Sequence, residues 1–491
     1  MSELMKLNTY PSIHRIHKEL AKREHAVFLD SSLRNADRGC FSILACRPYL
    51  TVEEKDSICF VDGRPIKETF AQYMKEYLNI HREEQSSDLP LTSGAVGYFS
   101  YDYGRVKEGV TSRHKKELDI PDCMLKFYDC FIIEDHRTCT LTIAANGKTG
   151  PEESVINAIL KLLEQISESE TASGTDFPAL LSSKDSDDSA YMRDTKSDLS
   201  PGNTNSPAVL ADFSQEDYMK AVDHMIHYII EGDIYVVNMT HQLQIKEACP
   251  PFALFSRLRD RNPSPFGAYL DYGDFQIVCA SPERFMKMKD GIITTRPIKG
   301  TRRRGHTPEE DQALKEELAH SEKDQSELLM IVDLERNDLN RVCVPGTVQV
   351  TELFKVETYA TVFHLESNVV GQLLPENNAM DLIQAAFPGG SITGAPKLRA
   401  MELIDQEERS RRNLYTGSIG YLSLNGDCDL NIVIRTAVYK DGVYHLGVGG
   451  GITCESELEF EYEETWQKAK ALLDAMGAKP LKGDIYEHTV R

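Results

Sequence analysis

The stretch Ile292-Ile293-Thr294-Thr295-Arg296-Pro297-Ile298-Lys299-Gly300-Thr301 joins a β-branched run to a proline and a glycine. Branched residues favour strands, and a turn bounded by proline and glycine ends a strand and projects its side chains beyond the sheet. Lys299 is therefore expected where a strand ends, facing the neighbouring cleft. A lone lysine is usually a solvated surface cation. In a desolvated pocket, however, an amine gives up its proton more readily and becomes a nucleophile.

Strand-like and helix-like segments alternate on both sides of this stretch. A helix is predicted after Ser214, a plausible N-cap with Asp217 three residues later, and the strand-like run 234–238 follows it. The alternation then continues to about residue 478. Upstream, short β-like runs lead to a helical pattern over 153–166. The fold class is predicted to be mixed α and β, with the chemistry in the C-terminal part.

The composition divides the chain into regions. The segment 167–212 is rich in Ser, Asp, Thr, Gly and Pro, and it has too few apolar groups to offset the entropy of ordering. It is predicted to be a flexible linker, with a long surface loop as the alternative. It separates an N-terminal region, 1–166, from a catalytic region, 213–478, and the tail is 479–491.

Charge and cysteine usage exclude several classes of protein. The formal net charge of −22 argues against nucleic acid and anionic membrane as partners, but not against a small anionic substrate. The eleven cysteines are odd in number and never spaced as CxxC, which suits reduced thiols better than disulfides or a zinc site. Neither a signal-type N-terminus nor an 18-residue apolar run is present, so a cytoplasmic, soluble protein is expected.

Two acid pairs lie at helical spacing. Asp324 and Glu327 are three residues apart, as are Glu461 and Glu464, with Lys468 four residues further on. Either pair alone is more simply read as a solvated acidic face. If the two helices pack together, four carboxylates converge, and oxygen ligands of this kind suit Mg²⁺.

Other residues have both a structural and a functional reading. Arg435 lies in a branched apolar strand, so it is either an edge residue in water or a guanidinium that grips a carboxylate. His364 is more often a hydrogen-bonded core histidine, and Glu283 could simply pair with a neighbouring arginine. The glycines at 447–451 fail the dinucleotide pattern, because Ile452 stands where glycine is required. Their bare backbone instead offers close approach and amide donors to a carboxylate.

Long runs from 213 to 478 resemble the chorismate-binding enzymes, a family that includes the anthranilate, aminodeoxychorismate, isochorismate and salicylate synthases. The matching runs are Ser281–Phe285, Leu329–Asp338, Phe387–Lys397, Tyr415–Tyr421, Gly449–Ile452 and Glu461–Thr465. The resemblance implies an α+β fold of two stacked, mainly antiparallel β-sheets with helices packed outside. It also implies a Mg²⁺-dependent site between them.

The resemblance also implies roles for individual residues. Lys299 matches a nucleophile that adds to carbon 2 of chorismate, and Glu283 matches the acid that helps the carbon 4 hydroxyl leave. Glu327 and Glu464 match direct Mg²⁺ ligands, with Asp324 and Glu461 as outer acidic partners. The residues matched to substrate binding are Tyr415, Arg435, Gly450, Gly451, Lys468, Thr393 and His364, the last of which serves pyruvate loss in the anthranilate enzymes.

Lys299 also separates the members of the family. The similar anthranilate synthases carry alanine at this position and the aminodeoxychorismate synthases carry lysine, so the resemblance implies the second activity. Anthranilate and isochorismate or salicylate formation are the alternatives. The resemblance further implies a separate glutamine amidotransferase subunit that supplies ammonia, because none of the cysteines lies in a glycine-rich elbow.

The N-terminal region resembles the family more weakly. A candidate tryptophan pocket aligns with Ser31, Arg38, Phe41, Pro265, Phe266 and Gly267. Ser31-Ser32 replaces the usual serine-glycine pair, and Arg38 replaces an expected aromatic residue. Tryptophan binding is therefore an open alternative.

Overall fold

The computed structural model describes residues 2–33, 39–84, 87–172, 206–246, 248–359 and 362–479. Its strands are β1 (Glu3–Leu7), β2 (Val27–Asp30), β3 (Phe41–Lys55), β4 (Ile58–Val61), β5 (Arg64–Pro65), β6 (Gly94–Phe99), β7 (Cys123–Asp135), β8 (Thr140–Ala145), β9 (Val209–Ala211), β10 (Val236–Lys246), β11 (Phe266–Asp271), β12 (Phe275–Ser281), β13 (Arg284–Lys289), β14 (Ile292–Thr295), β15 (Ile298–Arg303), β16 (Gln349–Thr358), β17 (Val362–Gln372), β18 (Gly394–Ala395), β19 (Ser418–Ser423), β20 (Cys428–Asn431), β21 (Thr436–Lys440) and β22 (Val443–Ile452). Its helices are α1 (Ile13–Leu20), α2 (Phe70–Ile80), α3 (Tyr101–Lys107), α4 (Glu152–Ala172), α5 (Gln215–Ile230), α6 (Pro251–Arg261), α7 (Pro308–Ala319), α8 (Glu322–Asn340), α9 (Ala379–Ala386), α10 (Lys397–Glu407) and α11 (Leu458–Met476).

Antiparallel pairing arranges these strands into two sheets. The first sheet has the order β10-β22-β21-β12-β11-β2-β3-β7-β8-β1. The second has the order β3-β7-β6-β19-β20-β13-β14-β17-β16, and β15 pairs with the other end of β17. The long strands β3 and β7 belong to both sheets, and the register of their pairing shifts between Pro48 and Leu50. The two sheets are therefore continuous through these strands.

Apolar layers fill the space between the sheets and cover their outer faces. The inter-sheet layer includes Ile43, Tyr98, Phe131, Ile277 and Ile419, which come from both sheets. Helices α1, α4, α6 and α11 pack on the outer face of the first sheet. Helices α2, α8 and α9 pack against the second, and α10 packs on β10 and β18. The prediction of stacked antiparallel sheets with helices outside is confirmed.

The N-terminal and C-terminal regions share both sheets, because β2 pairs with β11 and β6 pairs with β19. Helix α4 extends to Ala172, and β9 pairs with β10, so regular structure enters both ends of the predicted linker 167–212. Residues 173–205, and the tail from 480 onward, lie outside the described residues. The division into regions stays a prediction.

Two expectations drawn from composition concern the thiols and the membrane. All eleven cysteines are free thiols in the structure. Within the part of the chain that the structure describes, none of the helices has the length and apolarity needed to cross a bilayer.

The pairing of β6 with β7 depends on backbone contact that leaves no room for a side chain at Gly97. A Cβ atom on Gly97 would lie 1.9 Å from the Met124 carbonyl oxygen. We expect Gly97→Ala to lower the free energy of unfolding by about 1–3 kcal/mol, measured by urea denaturation, because the backbone must shift. Gly150→Ala is the control, since nothing lies within 4 Å of its added Cβ. Equal stability of the two variants would contradict this packing.

Candidate active site

A cavity of about 490 Å³ lies where β10, β15 and β22 meet helices α8 and α11. Its volume falls within the range typical of small-molecule sites. Most of the predicted site residues line it: Glu283, Lys299, Asp324, Glu327, His364, Tyr415, Arg435, Gly451, Glu461, Glu464 and Lys468. Residues separated by more than 180 positions in the sequence thus share one cleft.

Lys299 reaches this cavity from β15, opposite Leu365 of β17. The strand pairing is irregular just after it, at Gly300, whose φ of +72° favours glycine. A Cβ on Gly300 would also lie 2.8 Å from the carboxyl carbon of Asp324. On the opposite wall, a Cβ on Gly451 would lie 3.3 Å from Lys299 Nζ. The two glycines therefore give the amine room between the acidic helix α8 and β22.

Glu283 lies in the same cavity, between β12 and β13. Ser391 Oγ donates a hydrogen bond to Glu283 Oε1 at 3.2 Å. Burial raises the pKa of Glu283 to about 7, and the nearby Lys299 ammonium opposes part of that rise. A carboxyl group with such a pKa is partly protonated at neutral pH and can donate its proton to a leaving group.

A second carboxyl group, that of Glu335 on α8, is buried near Glu283. Burial, together with repulsion by Glu283, raises the pKa of Glu335 to about 8. The Thr295 hydroxyl lies 3.1 Å from Glu335 Oε2 and 2.9 Å from the carbonyl oxygen of Phe285. Because a hydroxyl has a single proton, Thr295 can donate to Phe285 and accept from a protonated Glu335.

The two acid pairs face each other across the cavity from α8 and α11. Burial raises the pKa of Glu327 and of Glu461, and Glu464 raises both by repulsion. Cations and a hydroxyl hold three of the carboxylates. Arg302 contacts Asp324 at 3.1 Å, Ser456 donates to Glu461 at 2.7 Å, and Lys468 contacts Glu464 at 2.6 Å.

The four acids of α8 and α11 are the candidate ligands for a metal ion in the cleft. Among the described residues, no three His, Cys, Asp or Glu side chains converge closely enough to form a metal site. The donor chemistry nevertheless fits Mg²⁺, because the acids supply only oxygen and repel one another. Exchange of the Lys468 contact for a cation would leave Glu464 free to join Glu327.

The glycines of β22 let the second acid pair approach the backbone. A Cβ on Gly450 would lie 2.6 Å from Glu464 Oε2 and 3.2 Å from Glu461 Oε2. Lys468 Nζ donates to the Gly449 carbonyl at 2.9 Å. Any larger residue at position 450 would push the acidic helix away.

Four further predicted residues take different positions. Tyr415 packs on Gly447, where a Cβ would lie 2.1 Å from its ring, and Arg435 is exposed to the cavity with a φ of 50°. His364 Nδ1 is bonded to Thr301 Oγ1 at 2.9 Å. Thr393 is fully buried, donates to the Gly389 carbonyl at 2.8 Å and is not among the cavity-lining residues.

The candidate tryptophan pocket lies apart from this cavity, where β2 and β11 pair. Ser31 Oγ donates to the Pro265 carbonyl at 2.9 Å, and Gly267 pairs with Asp30. The guanidinium carbon of Arg137 lies 4.8 Å from the centre of the Phe41 ring, and that of Arg284 lies 4.8 Å from the centre of the Phe266 ring. Arg38 lies outside the described residues.

Sequence reasoning missed several residues that line the cavity, namely Asn238, Lys323, Ser391 and Phe460. Ser391 lies inside a run that was recognised, but its contact with Glu283 depends on tertiary structure. Asn238 offered a clearer signal, because it ends the apolar run Ile234–Val237 with a carboxamide.

The raised pKa of Glu335 predicts a pH-dependent contribution to stability. The folded state keeps the proton up to about pH 8, whereas the unfolded chain releases it near the ordinary value of 4.5. The contribution of Glu335 to the free energy of unfolding is therefore fully present below pH 4.5, and it is lost as the pH rises to about 8. We expect Glu335→Gln to raise Tm relative to the unmodified protein at pH 8 and to change it little at pH 5.

The exposed Glu376 provides the control, and Glu376→Gln is expected to leave the difference in Tm between pH 5 and pH 8 unchanged. Thermal unfolding by circular dichroism at the two pH values measures the effect. An equal gain at both pH values would contradict a proton held by Glu335.

Comparison with known proteins places this cavity in a family. The chain matches the family model of chorismate binding enzymes over residues 29–474. It is 37% identical to aminodeoxychorismate synthase component 1 of Bacillus subtilis (strain 168), over 94% of each chain. It is 34% identical to anthranilate synthase component 1 of Acetivibrio thermocellus, over 91% of this chain and 90% of the relative.

A solved structure agrees with these matches. Anthranilate synthase component I from Streptococcus pneumoniae TIGR4 superimposes with a TM-score of 0.74 at 30% identity, over 89% of this chain and 93% of that one. The shared fold, the extent of the match and the acid-lined cleft together show that this chain belongs to the chorismate-binding enzyme family.

Proposed function

We propose that this chain converts chorismate and ammonia into 4-amino-4-deoxychorismate, with Lys299 as a covalent nucleophile. The observation that carries the proposal is the position of Lys299 inside the cavity, within electrostatic range of the buried carboxyl group of Glu283. The relative that is 37% identical to this chain is named aminodeoxychorismate synthase component 1, which agrees with this choice.

The chemistry has two displacement steps. The Lys299 amine adds to carbon 2 of the ring as the carbon 4 hydroxyl leaves, and Glu283 gives that hydroxyl its proton. Ammonia then adds to carbon 4 and expels the lysine from carbon 2. A covalent adduct divides one difficult substitution into two easier ones.

Positive charge in the cavity supports the choice of a dicarboxylate substrate. Arg302, Lys323, Arg435 and Lys468 all line the cavity beside Lys299. Arginine and lysine bind carboxylates through charge-assisted hydrogen bonds. The cavity therefore holds local positive charge, although the chain as a whole has a net charge of −22.

We assign the acid pairs to Mg²⁺, with Glu327 and Glu464 as ligands and Asp324 and Glu461 as their outer partners. When bound there, the cation would neutralise charge that develops on the departing hydroxyl. Glu464 and Glu327 repel each other, and a cation between them would relieve that repulsion, which supports the assignment.

Ammonia requires a source, and we infer a glutamine amidotransferase subunit as the partner. The word "component" in the names of both curated relatives is consistent with a second subunit. Anthranilate formation is the competing activity, because a relative at 34% identity carries that name. Lys299 favours the proposed product over anthranilate.

Lys299→Ala is expected to abolish formation of 4-amino-4-deoxychorismate and the covalent adduct. The assay supplies chorismate, ammonium and Mg²⁺, and it detects the product after conversion to 4-aminobenzoate by an added lyase. Mass spectrometry of the trapped protein locates the adduct. Glu283→Gln is expected to slow turnover roughly 10²- to 10⁴-fold, as loss of a general acid does.

Lys289→Ala is the control, since Lys289 is exposed at the end of β13. Normal turnover in Lys299→Ala would show that the amine is not the nucleophile. Release of fluorescent anthranilate and pyruvate from the unmodified enzyme would overturn the proposed product. Activity without ammonium would indicate attack by water.

Replacing a residue that only hydrogen-bonds to a metal ligand already weakens metal binding by about 10-fold or more. We therefore expect Glu464→Gln, which changes a ligand itself, to weaken Mg²⁺ binding by at least about 10-fold, measured by titration calorimetry. Glu463→Gln is the matched control, because Glu463 is adjacent to Glu464 on α11 and its side chain is exposed to solvent. An unchanged Kd for Mg²⁺ in the Glu464 variant would remove the metal assignment.

A further inference from the structure

Asn238 has a fixed backbone and a side-chain oxygen without a partner. Its N–H donates to the Thr393 carbonyl at 2.8 Å, and its carbonyl accepts from Arg412 Nη2 at 2.6 Å. On the neighbouring strand β22, it pairs with Gly451. Its side-chain Oδ1, in contrast, is buried without a hydrogen-bond partner. The backbone is held by three neighbours, while the side-chain oxygen has no partner within the protein.

The alternation of β10 directs this side chain to the cavity. Val237 and Met239 are buried in the apolar layer beneath the helices. Successive side chains of a strand point to opposite faces, so Asn238 faces away from that layer. It is one of the cavity-lining residues, and the glycine opposite it, Gly451, leaves space toward Lys299 Nζ.

The energetics favour a ligand for this group. A buried polar atom without a partner costs about 1–3 kcal/mol, and most such atoms in folded proteins are paired. Substituting an apolar residue of similar size would remove that cost. An unpaired oxygen that is held in place beside a reactive amine is therefore suited to accept a hydrogen bond from a bound molecule.

We propose that Asn238 is a substrate-contacting residue, whose carboxamide oxygen accepts a hydrogen bond from a neutral donor in the reacting complex. Two donors have the required chemistry, namely the ring hydroxyl of chorismate and an N–H of ammonia. The inference rests on the proposed function for the identity of both molecules. It adds a polar contact from β10, a strand that supplies none of the acids and bases already assigned.

Asn238→Leu tests this, because leucine has the same number and branching of side-chain heavy atoms as asparagine and no hydrogen-bonding group. Calorimetry gives the Kd for chorismate without ammonium, and steady-state kinetics give the KM for ammonium. We expect one of the two constants to rise about 3- to 10-fold, as loss of one hydrogen bond predicts. A weaker Kd identifies the hydroxyl as the donor, and a higher KM identifies ammonia.

Stability separates this role from a structural one. Because the replaced atom is unpaired, Tm of Asn238→Leu is expected to be equal to or higher than that of the unmodified protein. Gln242→Leu is the matched control, since Gln242 lies on the same face of β10, also has an unpaired buried nitrogen and does not line the cavity. It should leave both constants unchanged.

Asn238→Ala repeats the measurement if the leucine variant fails to fold. Unchanged constants in the Asn238 variants, or an equal loss in Gln242→Leu, would overturn the proposal. A failure of the proposed function gives a different result. The unmodified enzyme would then make another product, while the chorismate Kd would still decide whether Asn238 contacts the substrate.

Discussion

The buried ion pair between Arg412 and Glu408 holds the walls of the cavity together. Arg412 Nη2 contacts Glu408 Oε1 at 2.6 Å, and its side chain is 1% exposed. The same guanidinium donates to the carbonyls of Asn238 and Ile392, at 2.6 and 2.7 Å. Glu408 in turn accepts from the backbone of Thr240 at 2.9 Å. Breaking such a pair typically costs 3–5 kcal/mol, because one charge stays buried and unpaired.

Around this pair, the site depends on how closely backbones approach. The glycines of β22 have no side chain on the wall that meets α11, and Gly300 has none on the wall that meets α8. The acidic side chains of both helices therefore reach one cleft, with Lys299 between them. The same closeness raises the pKa values of Glu327 and Glu461, since the carboxyl groups lose water and repel each other. Geometry and electrostatics thus have one origin.

The sequence predicted much of this arrangement, and its failures have physical causes. Helical spacing indicated the acid pairs on α8 and α11, and recognisable runs indicated the stacked sheets. Local patterns could not show that β3 and β7 pass through both sheets, because strand pairing joins residues distant in sequence. They also could not place Thr393 in the interior, where it donates to Gly389. Contacts such as that of Ser391 with Glu283 exist only after folding.

The protonation of Glu283 and Glu335 depends on where these two carboxyl groups lie. In its proposed role as general acid, Glu283 must hold a proton near neutral pH, and burial raises its pKa to about 7. Glu335 lies deeper, and its own retained proton avoids a second negative charge beside Glu283. Were Glu335 ionised, its repulsion would raise the pKa of Glu283 further and hinder proton donation. A neutral Glu335 therefore leaves the pKa of Glu283 near 7, which suits the role proposed for it.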